Sequence, residues 1–355
     1  MSEIATIRLA LALSIVSSFA LAMLLTPVSM RLAKTIGIMD VPRDERRMHK
    51  DAMPMMGGFA IFVTFTVVAF AGDEIFFSKY NWLSLLPDKI MAVLISGAAI
   101  FVLGVIDDIF DIKAWVKLIG QIACASLAFF LGIRMPAISF FGWQFGDSFA
   151  GLLTSFILTV LWLVAITNTI NLIDGLDGLA GGVAAIASLG IGYSAYIHGL
   201  YTVAFLMVIL AGSSLGFLRY NFFPAKTFMG DSGAMFLGFT IASISIVGPA
   251  KGATVLAMLG PVLVLGVPIF DVLFAIFRRF ISKQPIFTAD TGHIHHQLTK
   301  LGMGQRRTVL MIYGISAVMA VAAVDFSRNL FLEAGSLFLA ALLFIIVLIW
   351  GWNKE

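Results

Sequence analysis

Long runs of apolar residues constrain this chain more than any other feature of its sequence. Charged residues make up only 12% of the chain, whereas soluble domains carry about 25%. Eleven runs are long enough to cross a lipid bilayer: 4–27, 56–72, 90–106, 116–132, 149–167, 179–197, 201–218, 232–249, 253–275, 308–324 and 330–351. The sequence therefore predicts an all-α, polytopic membrane protein of about eleven transmembrane helices, with a single domain over residues 1–355.

The positive residues are distributed unequally between the two sides of these predicted spans. Counting Lys117 at a span edge, 17 of the 23 Lys and Arg residues lie on the side that holds the connections after odd-numbered spans. Since cytoplasmic loops carry the excess of Lys and Arg, this side is predicted to be cytoplasmic. The N-terminus is then outside the membrane and the C-terminus inside.

Three aspartates stand at the end of the third run, in Gly104-Val-Ile-Asp-Asp-Ile-Phe-Asp111. In a helix, the spacings of Asp107, Asp108 and Asp111 would bring their carboxylates to one turn, where like charges repel. Ionised carboxylates are also costly next to hydrocarbon. The cluster therefore predicts a bound cation such as a metal, and the alternative is a solvated loop that merely caps the span.

A second polar segment, NTINLIDGLDGLAGG, occupies residues 168–182. Asn168, Asn171, Asp174 and Asp177 recur every three residues, which predicts one helical face or the frayed start of a helix. The glycines among them allow another backbone or a ligand to come close. A Gly-rich packing seam is the alternative, and it leaves the two carboxylates unexplained.

A third motif, Gly230-Asp231-Ser232-Gly233, lies where the eighth run begins. Asp231 could cap the helix. The other interpretation is a carboxylate directed at a metal while the helix N-terminus faces phosphate, with Lys226 close by.

Basic residues collect in two further segments of the predicted cytoplasmic side. His49 and Lys50 precede Gly57-Gly58 and fit a loop that faces an anion, although the neighbouring arginines also serve to set topology. The other segment holds Arg278, Arg279, His293, His295 and His296. These side chains favour contacts with phosphate oxygens over a zinc site, which would need a further ligand that the single Cys, Cys124, does not supply.

Taken together, these motifs put carboxylates, Gly-bordered loops and basic groups on one membrane face. This combination suits Mg²⁺ bridging a diphosphate, and a site within a membrane indicates a lipid substrate. The chain has no Gly-x-x-x-x-Gly-Lys-Ser/Thr motif, which argues against a P-loop ATPase. An ion-coupled transporter is the rival class, but transporter sites usually lie near the bilayer midplane.

GVIDDIFD, NTINLIDGLDGLAGG, FMGDSGAMFLG and HIHH together resemble the polyprenyl-phosphate N-acetylhexosamine-1-phosphate transferase superfamily, glycosyltransferase family 4. The resemblance runs from about residue 28 to 307. Asp111 and the His-Ile-His-His segment are similar to the undecaprenyl-phosphate N-acetylglucosamine-1-phosphate transferase branch. The alternative is the phospho-N-acetylmuramoyl-pentapeptide transferase branch of peptidoglycan synthesis, which usually has Lys and a continuous triple His at these places.

The resemblance implies transfer of N-acetylglucosamine-1-phosphate from UDP-N-acetylglucosamine to undecaprenyl phosphate, with release of UMP. This step begins teichoic-acid or O-antigen synthesis in the bacterial cytoplasmic membrane. Mg²⁺ is the implied cofactor, for which Mn²⁺ can substitute; no nucleic acid is expected as a partner, and a homodimer is allowed. The implied active-site loops face the cytoplasm and span residues 28–55, 107–115, 168–178, 219–233 and 276–307.

The resemblance also implies a role for each matched residue. Asp107, as the base for the lipid phosphate, Asp108, Asp111 and His293 are the implied catalytic residues. Metal binding falls to Asp231, Asp108 and Asn171. The substrate-binding residues would be His49, Lys50, Asn168, Asn171, Asp174, Asp177, Lys226, Phe228, Arg278, Arg279, His295 and His296. Direct attack of the lipid phosphate on the β-phosphorus is favoured over a covalent phospho-aspartate, because a metal and positive groups can supply most of the stabilisation.

Overall fold

The computed structural model of the protein describes residues 3–40, 52–72, 87–135, 148–247 and 303–350, together with short fragments between 262 and 279. Ten helices lie in the described ranges: α1 Glu3–Ile36, α2 Gly57–Gly72, α3 Pro87–Phe110, α4 Ala114–Phe130, α5 Phe149–Ile173, α6 Leu179–Ile197, α7 Tyr201–Asn221, α8 Gly230–Val247, α9 Gln305–Ser327 and α10 Phe331–Trp350. Between α1 and α2, strands β1 (Met39–Asp40) and β2 (Met53–Pro54) form a short antiparallel ladder.

Seven of these helices, α1, α3, α5, α6, α7, α8 and α9, are long and apolar enough to cross a membrane. Helices α2, α4 and α10 contain shorter apolar stretches. The prediction of a helical, multi-pass membrane protein is therefore confirmed, apart from the two-residue strands. Each of the ten helices overlaps one of the predicted runs, and the run 253–275 lies largely outside the described residues.

Helix α8 is the centre of the bundle. Every residue of α8 except Asp231 is buried, as expected for a helix that is apolar on all sides and packed on all sides. Helices α2, α3 and α5 pack against it. Phe236 of α8 makes edge-on ring contacts with Phe62 and Phe65 of α2 and with Phe101 of α3, at centroid distances of 5.3, 5.7 and 6.4 Å.

Contacts between helix ends show that the described helices alternate in direction through the bundle. The N–H of Gly57, at the start of α2, donates to the carbonyl of Phe228 just before α8, at 2.9 Å. Lys117, near the start of α4, contacts Asp107 near the end of α3 and Asn171 near the end of α5. The starts of α2, α4 and α8 and the ends of α3 and α5 therefore lie at one end of the bundle, and this end carries the aspartate motifs.

Candidate active site

The structure does not place the three aspartates of the α3 motif on one helical turn, as the sequence predicts. The helix ends at Phe110, and Asp111 follows with a positive φ of 49° and an exposed side chain. Asp107, by contrast, is only 6% exposed and accepts a hydrogen bond from the N–H of Ile112 at 3.1 Å. The prediction of one helical turn with three carboxylates is therefore wrong for Asp111, because the chain leaves the helix before reaching it.

Lys117 of α4 connects the aspartate motifs. Its Nζ lies 2.7 Å from Asp107 Oδ2, 2.6 Å from Asp231 Oδ1 and 3.1 Å from Asn171 Oδ1. An ammonium has three N–H donors, so each has an acceptor. Asn171 Nδ2 also donates a short hydrogen bond to the same Asp231 oxygen. The contacts of one cation and one amide thus join four helices, α3, α4, α5 and α8, at a single point.

Asp108 caps helix α8 from a neighbouring helix. Its Oδ1 accepts from the backbone N–H of Asp231 at 2.7 Å, and its Oδ2 accepts from that of Ser232 at 3.1 Å. The first N–H groups of a helix have no partner within it and favour a negative charge, so this carboxylate satisfies two of them. The interpretation of Asp231 as the cap is therefore wrong, and its own carboxylate, 36% exposed, contacts Lys117 instead.

The NTINLIDGLDGLAGG segment covers the end of one helix and the start of the next. Asn168 and Asn171 lie near the end of α5, whereas Asp174 is its C-terminal cap and Asp177 lies in the turn before α6. The predicted single helical face therefore holds for the two asparagines only. Asp177 is 4% exposed and accepts from the N–H of Ala225 at 2.9 Å, which ties this turn to the α7–α8 connection.

Asp174 lies in an environment that disfavours its charged form. Burial, together with the negative charges of Asp231, Asp108 and Asp177, raises the pKa of its carboxyl to about 8. A proton or a cation near Asp174 would relieve this repulsion. The charges of the neighbouring carboxylates at this end of the bundle therefore affect the pKa of Asp174.

The turn between α5 and α6 is fixed by two helices from later in the chain. Asn221 at the end of α7 accepts the N–H of Gly178 at 3.1 Å, and the Tyr313 hydroxyl of α9 donates to the Gly178 carbonyl at 2.5 Å. Gly178 has a positive φ of 80°, which suits glycine. These contacts hold the peptide that follows Asp177, and sequence analysis identified neither Asn221 nor Tyr313.

Two predicted substrate-binding residues lie in the α7–α8 connection. Lys226 is exposed, and Phe228 is partly buried. The N–H of Phe228 donates to the carbonyl of Pro54 in β2 at 2.9 Å, and Thr227 Oγ1 donates to the same carbonyl at 2.9 Å. The connection is thus attached to the segment that leads into α2, and substrate contact by Lys226 and Phe228 stays a prediction.

Of the seven predicted site residues in the two basic segments, one lies in the described part of the chain. Arg279 is in a described fragment and is 8% exposed. The others lie outside the described residues: His49, Lys50, Arg278, His293, His295 and His296. Their roles in phosphate or sugar binding stay predictions.

Lys117 and Gln121 were missed as site residues, although the sequence carried a signal for both. They are four residues apart in the otherwise apolar α4 and so lie on one face of it. An ionisable residue within an apolar helix is itself an indication of function. From the sequence, Lys117 is counted only among the charges that set topology.

Within the described ranges, no three His, Cys, Asp or Glu side chains converge closely enough to hold a metal by themselves. The oxygen atoms that converge belong to Asp107, Asn171 and Asp231, and Lys117 contacts all three. The arrangement can offer carboxylate and amide oxygens to a hard cation, and the Lys117 ammonium can contact an anionic oxygen of a ligand.

Comparison with known proteins agrees with the motifs. Residues 90–249 match the family described as Glycosyl transferase family 4. A Bacillus subtilis (strain 168) protein named "Probable undecaprenyl-phosphate N-acetylglucosaminyl 1-phosphate transferase" is 36% identical over 310 residues, which cover 85% of this chain and 81% of that protein. The decaprenyl-phosphate N-acetylglucosaminephosphotransferase of Mycobacterium tuberculosis (strain H37Rv) is 35% identical, with coverage of 85% and 79%.

A relative from the alternative branch is more distant in sequence. The phospho-N-acetylmuramoyl-pentapeptide-transferase of Halalkalibacterium halodurans is 29% identical over 337 residues, which cover 88% of this chain and 96% of that protein. The relatives named for N-acetylglucosamine are therefore more similar to this chain than this pentapeptide transferase is. Given the matched region and the extent of these alignments, the chain belongs to glycosyl transferase family 4, as its motifs predicted, and not to a class of ion-coupled transporters.

Proposed function

We propose that this protein transfers N-acetylglucosamine-1-phosphate from UDP-N-acetylglucosamine to undecaprenyl phosphate and releases UMP. The observation that carries the proposal is a cluster of polar side chains at one end of a bundle whose helices are long and apolar enough to cross a membrane. The cluster consists of Lys117, Asp107, Asn171 and Asp231. The names of the relatives from B. subtilis and M. tuberculosis support the sugar and the polyprenyl phosphate. The reaction would begin a cell-envelope glycopolymer of the teichoic-acid or O-antigen type.

The chemistry of phosphoryl transfer suits this cluster. Such transfer depends mainly on positioning and on neutralising charge on the phosphoryl oxygens. Lys117 is 16% exposed, so its ammonium acts in a partly desolvated environment where electrostatic interactions are stronger than in water. We assign Lys117 to hold a phosphate oxygen of the diphosphate, in exchange for one of its present carboxylate contacts.

Mg²⁺ fits the donor set of this cluster. Mg²⁺ takes oxygen ligands, keeps several waters and is usually bound through one or two carboxylates together with substrate phosphates, so a full protein cage is not required. Asp231 is the partly exposed carboxylate of the group, and Asn171 adds an amide oxygen, which accepts from Lys117 at 3.1 Å. When bound, Mg²⁺ would neutralise charge on the diphosphate, and Mn²⁺ could take its place.

Asp107 and Asp108 have different tasks in this proposal. Asp107 contacts Lys117 and orients its ammonium, whereas Asp108 acts through helix α8, whose N-terminus it caps. A phosphate monoester is largely dianionic near neutral pH, with a second pKa of about 6, so it needs little help from a base. Direct attack of the lipid phosphate on the β-phosphorus therefore needs no covalent enzyme intermediate.

The membrane placement belongs to the same proposal. The candidate site would face the cytoplasm, where UDP-sugars are available, in a bacterial cytoplasmic membrane. The apolar runs support about eleven spans, and the distribution of Lys and Arg supports an outside N-terminus and a cytoplasmic C-terminus. Both substrates could then reach one end of the bundle, the lipid phosphate from the bilayer and the UDP-sugar from the aqueous side.

A donor panel tests the proposal. Purified protein in detergent with undecaprenyl phosphate and Mg²⁺ is given UDP-N-acetylglucosamine, UDP-N-acetylgalactosamine or UDP-N-acetylmuramoyl-pentapeptide, and released UMP is measured. We expect UMP from UDP-N-acetylglucosamine and a loss of at least about 10²-fold in Asp231→Asn, the size of effect seen when a charge-stabilising group is removed. UMP from the pentapeptide donor alone would establish the alternative activity, and equal rates for Asp231→Asn and wild type would overturn the assignment of the site.

A further inference from the structure

Next to the Lys117 cluster, a second polar contact joins helices α4 and α5. Gln121 Nε2 donates to Asn168 Oδ1 at 3.3 Å, and Asn168 Nδ2 donates back to Gln121 Oε1 at 2.6 Å. Gln121 is 1% exposed, and Asn168 is partly buried. A reciprocal pair of amides in such a place satisfies groups that would otherwise be costly to bury.

The two amides have no N–H left for a ligand. The second N–H of Asn168 Nδ2 is directed to the carbonyl of Val164 at 2.9 Å, and Gln121 Nε2 also lies 3.3 Å from Met235 Sδ in α8. Each amide has two N–H donors, and all four are thus accounted for. In this arrangement the donors of both amides are used within the bundle, and substrate binding by Asn168 stays a prediction.

The amide pair lies in register with the functional cluster. Gln121 follows Lys117 by four residues in α4, and Asn168 precedes Asn171 by three in α5, so each pair shares a helix face. Two parallel contacts therefore join the helices, Lys117 to Asn171 and Gln121 to Asn168. A change in the Gln121–Asn168 contact would alter the alignment of α4 against α5 that places Lys117 next to Asp231.

We propose that Gln121 and Asn168 are positioning residues, which act together through Lys117 by fixing α4 against α5. This inference rests on the proposed function, in which the Lys117 ammonium contacts the diphosphate. Positioning of this kind matters because a displacement of about 1 Å at a reacting site can cost about 10²-fold in rate. The amide pair would leave donor affinity nearly unchanged and affect turnover.

Three variants and one control test this inference. Gln121→Met and Asn168→Ala each remove one amide, and the double variant removes both. Ser245→Ala is the matched control, because it breaks another buried contact of α5, in which Trp162 Nε1 donates to Ser245 Oγ at 3.1 Å. For each protein, kcat and KM for UDP-N-acetylglucosamine are measured from UMP release, and the melting temperature is measured in detergent.

We expect each single variant to lose about tenfold or more in kcat with KM within about threefold of wild type. The double variant should be no slower than the slower single variant, because the two amides act as one unit. Ser245→Ala should keep the wild-type kcat.

Three results would overturn the inference. These are a kcat for Gln121→Met and Asn168→Ala equal to that of the control, multiplicative losses in the double variant, or a raised KM in Asn168→Ala with unchanged kcat. If only one of the single variants folds, the comparison of its kcat and KM with the control decides. Absence of UMP release from the wild type would instead refute the proposed function, so the two failures are distinguishable.

Discussion

The ammonium of Lys117 lies 2.6 Å from the carboxylate of Asp231, although 114 residues separate the two in the chain. The contact joins α4 to the start of the buried α8, and it forms at the bundle end where the sequence motifs meet. Its consequences for activity are measurable in single variants.

Replacement of Lys117 should affect turnover severely. Lys117→Met removes the cation that contacts Asp107, Asp231 and Asn171, and we expect kcat to fall by about 10²–10³-fold. Lys117→Arg keeps the charge but replaces a compact ammonium by a planar fork, so an intermediate loss is expected. Lys113→Met, an exposed position just before α4, is the control. Equal kcat values for Lys117→Met and Lys113→Met would contradict the account.

Asp108 should be important for stability as well as activity. In Asp108→Asn, one carboxylate oxygen becomes an NH₂ group, which cannot accept the N–H of Asp231 or Ser232. We expect the free energy of unfolding to fall by about 1–2 kcal/mol, the usual cost of a lost helix cap. Thermal melting in detergent measures this, and Asp111→Asn, at an exposed position, should melt like wild type. If both variants melted together, the cap would not be stabilising α8.

These aspartates illustrate what the sequence could and could not predict. The length of the apolar runs predicted the helices, and the alternation of their ends predicted that the motifs would share one side. The different contacts of Asp107 and Asp108 were not predictable. Neighbouring residues on a helix point about 100° apart, and the partners of these two belong to other helices. Asp107 contacts α4, and Asp108 contacts α8.

The limits of the local pattern are also visible in the NTINLIDGLDGLAGG segment. Exact spacing of three suggested one helical face, but α5 ends at Ile173 and Asp174 becomes its cap. The turn that follows is held by contacts such as that of Asn221 with Gly178, which come from residues far along the chain. The contacts of Lys117 were not predictable for the same reason, because the residues that it contacts all belong to other helices.

The contact between α3 and α8 predicts a steric effect at Gly104. A Cβ at this position would lie 2.3 Å from Ser232 Cα and 2.6 Å from its backbone N, so Gly104→Ala must push the two helices apart. Overpacking of this kind costs about 1–3 kcal/mol, and it would also separate Asp108 from the α8 N-terminus.

Melting temperature and UMP release measure the effect of Gly104→Ala. The matched control is Gly314→Ala in α9, where a Cβ would meet nothing within 4 Å. This control should be at least as stable as wild type, because Ala favours helix over Gly. A melting temperature for Gly104→Ala equal to that of the control would contradict the close packing of α3 on α8.

The pKa of Asp174 predicts how stability depends on pH. Burial and the neighbouring negative charges raise this pKa from 3.8 to about 8, so the folded protein holds a proton that the unfolded chain releases at lower pH. The stability from this carboxyl is fully present below about pH 4 and is lost as pH rises to about 8. Asp174→Asn, which cannot ionise, should remove this loss. Melting temperatures of ligand-free protein between pH 5 and 9 measure it, and identical slopes for the variant and wild type would contradict the environment described for Asp174.

The identity of the transferred group tests the central claim most directly. The protein is given UDP-N-acetylglucosamine labelled with ³²P in its β-phosphate, together with undecaprenyl phosphate and Mg²⁺, and both the lipid and the released nucleotide are analysed. Phosphoryl transfer at the Lys117–Asp231 cluster predicts that the label enters the lipid while UMP is released, and that Lys117→Met slows both by about 10²–10³-fold. Release of labelled UDP with no label in the lipid would contradict the account, because the bond broken would then join the sugar to the diphosphate.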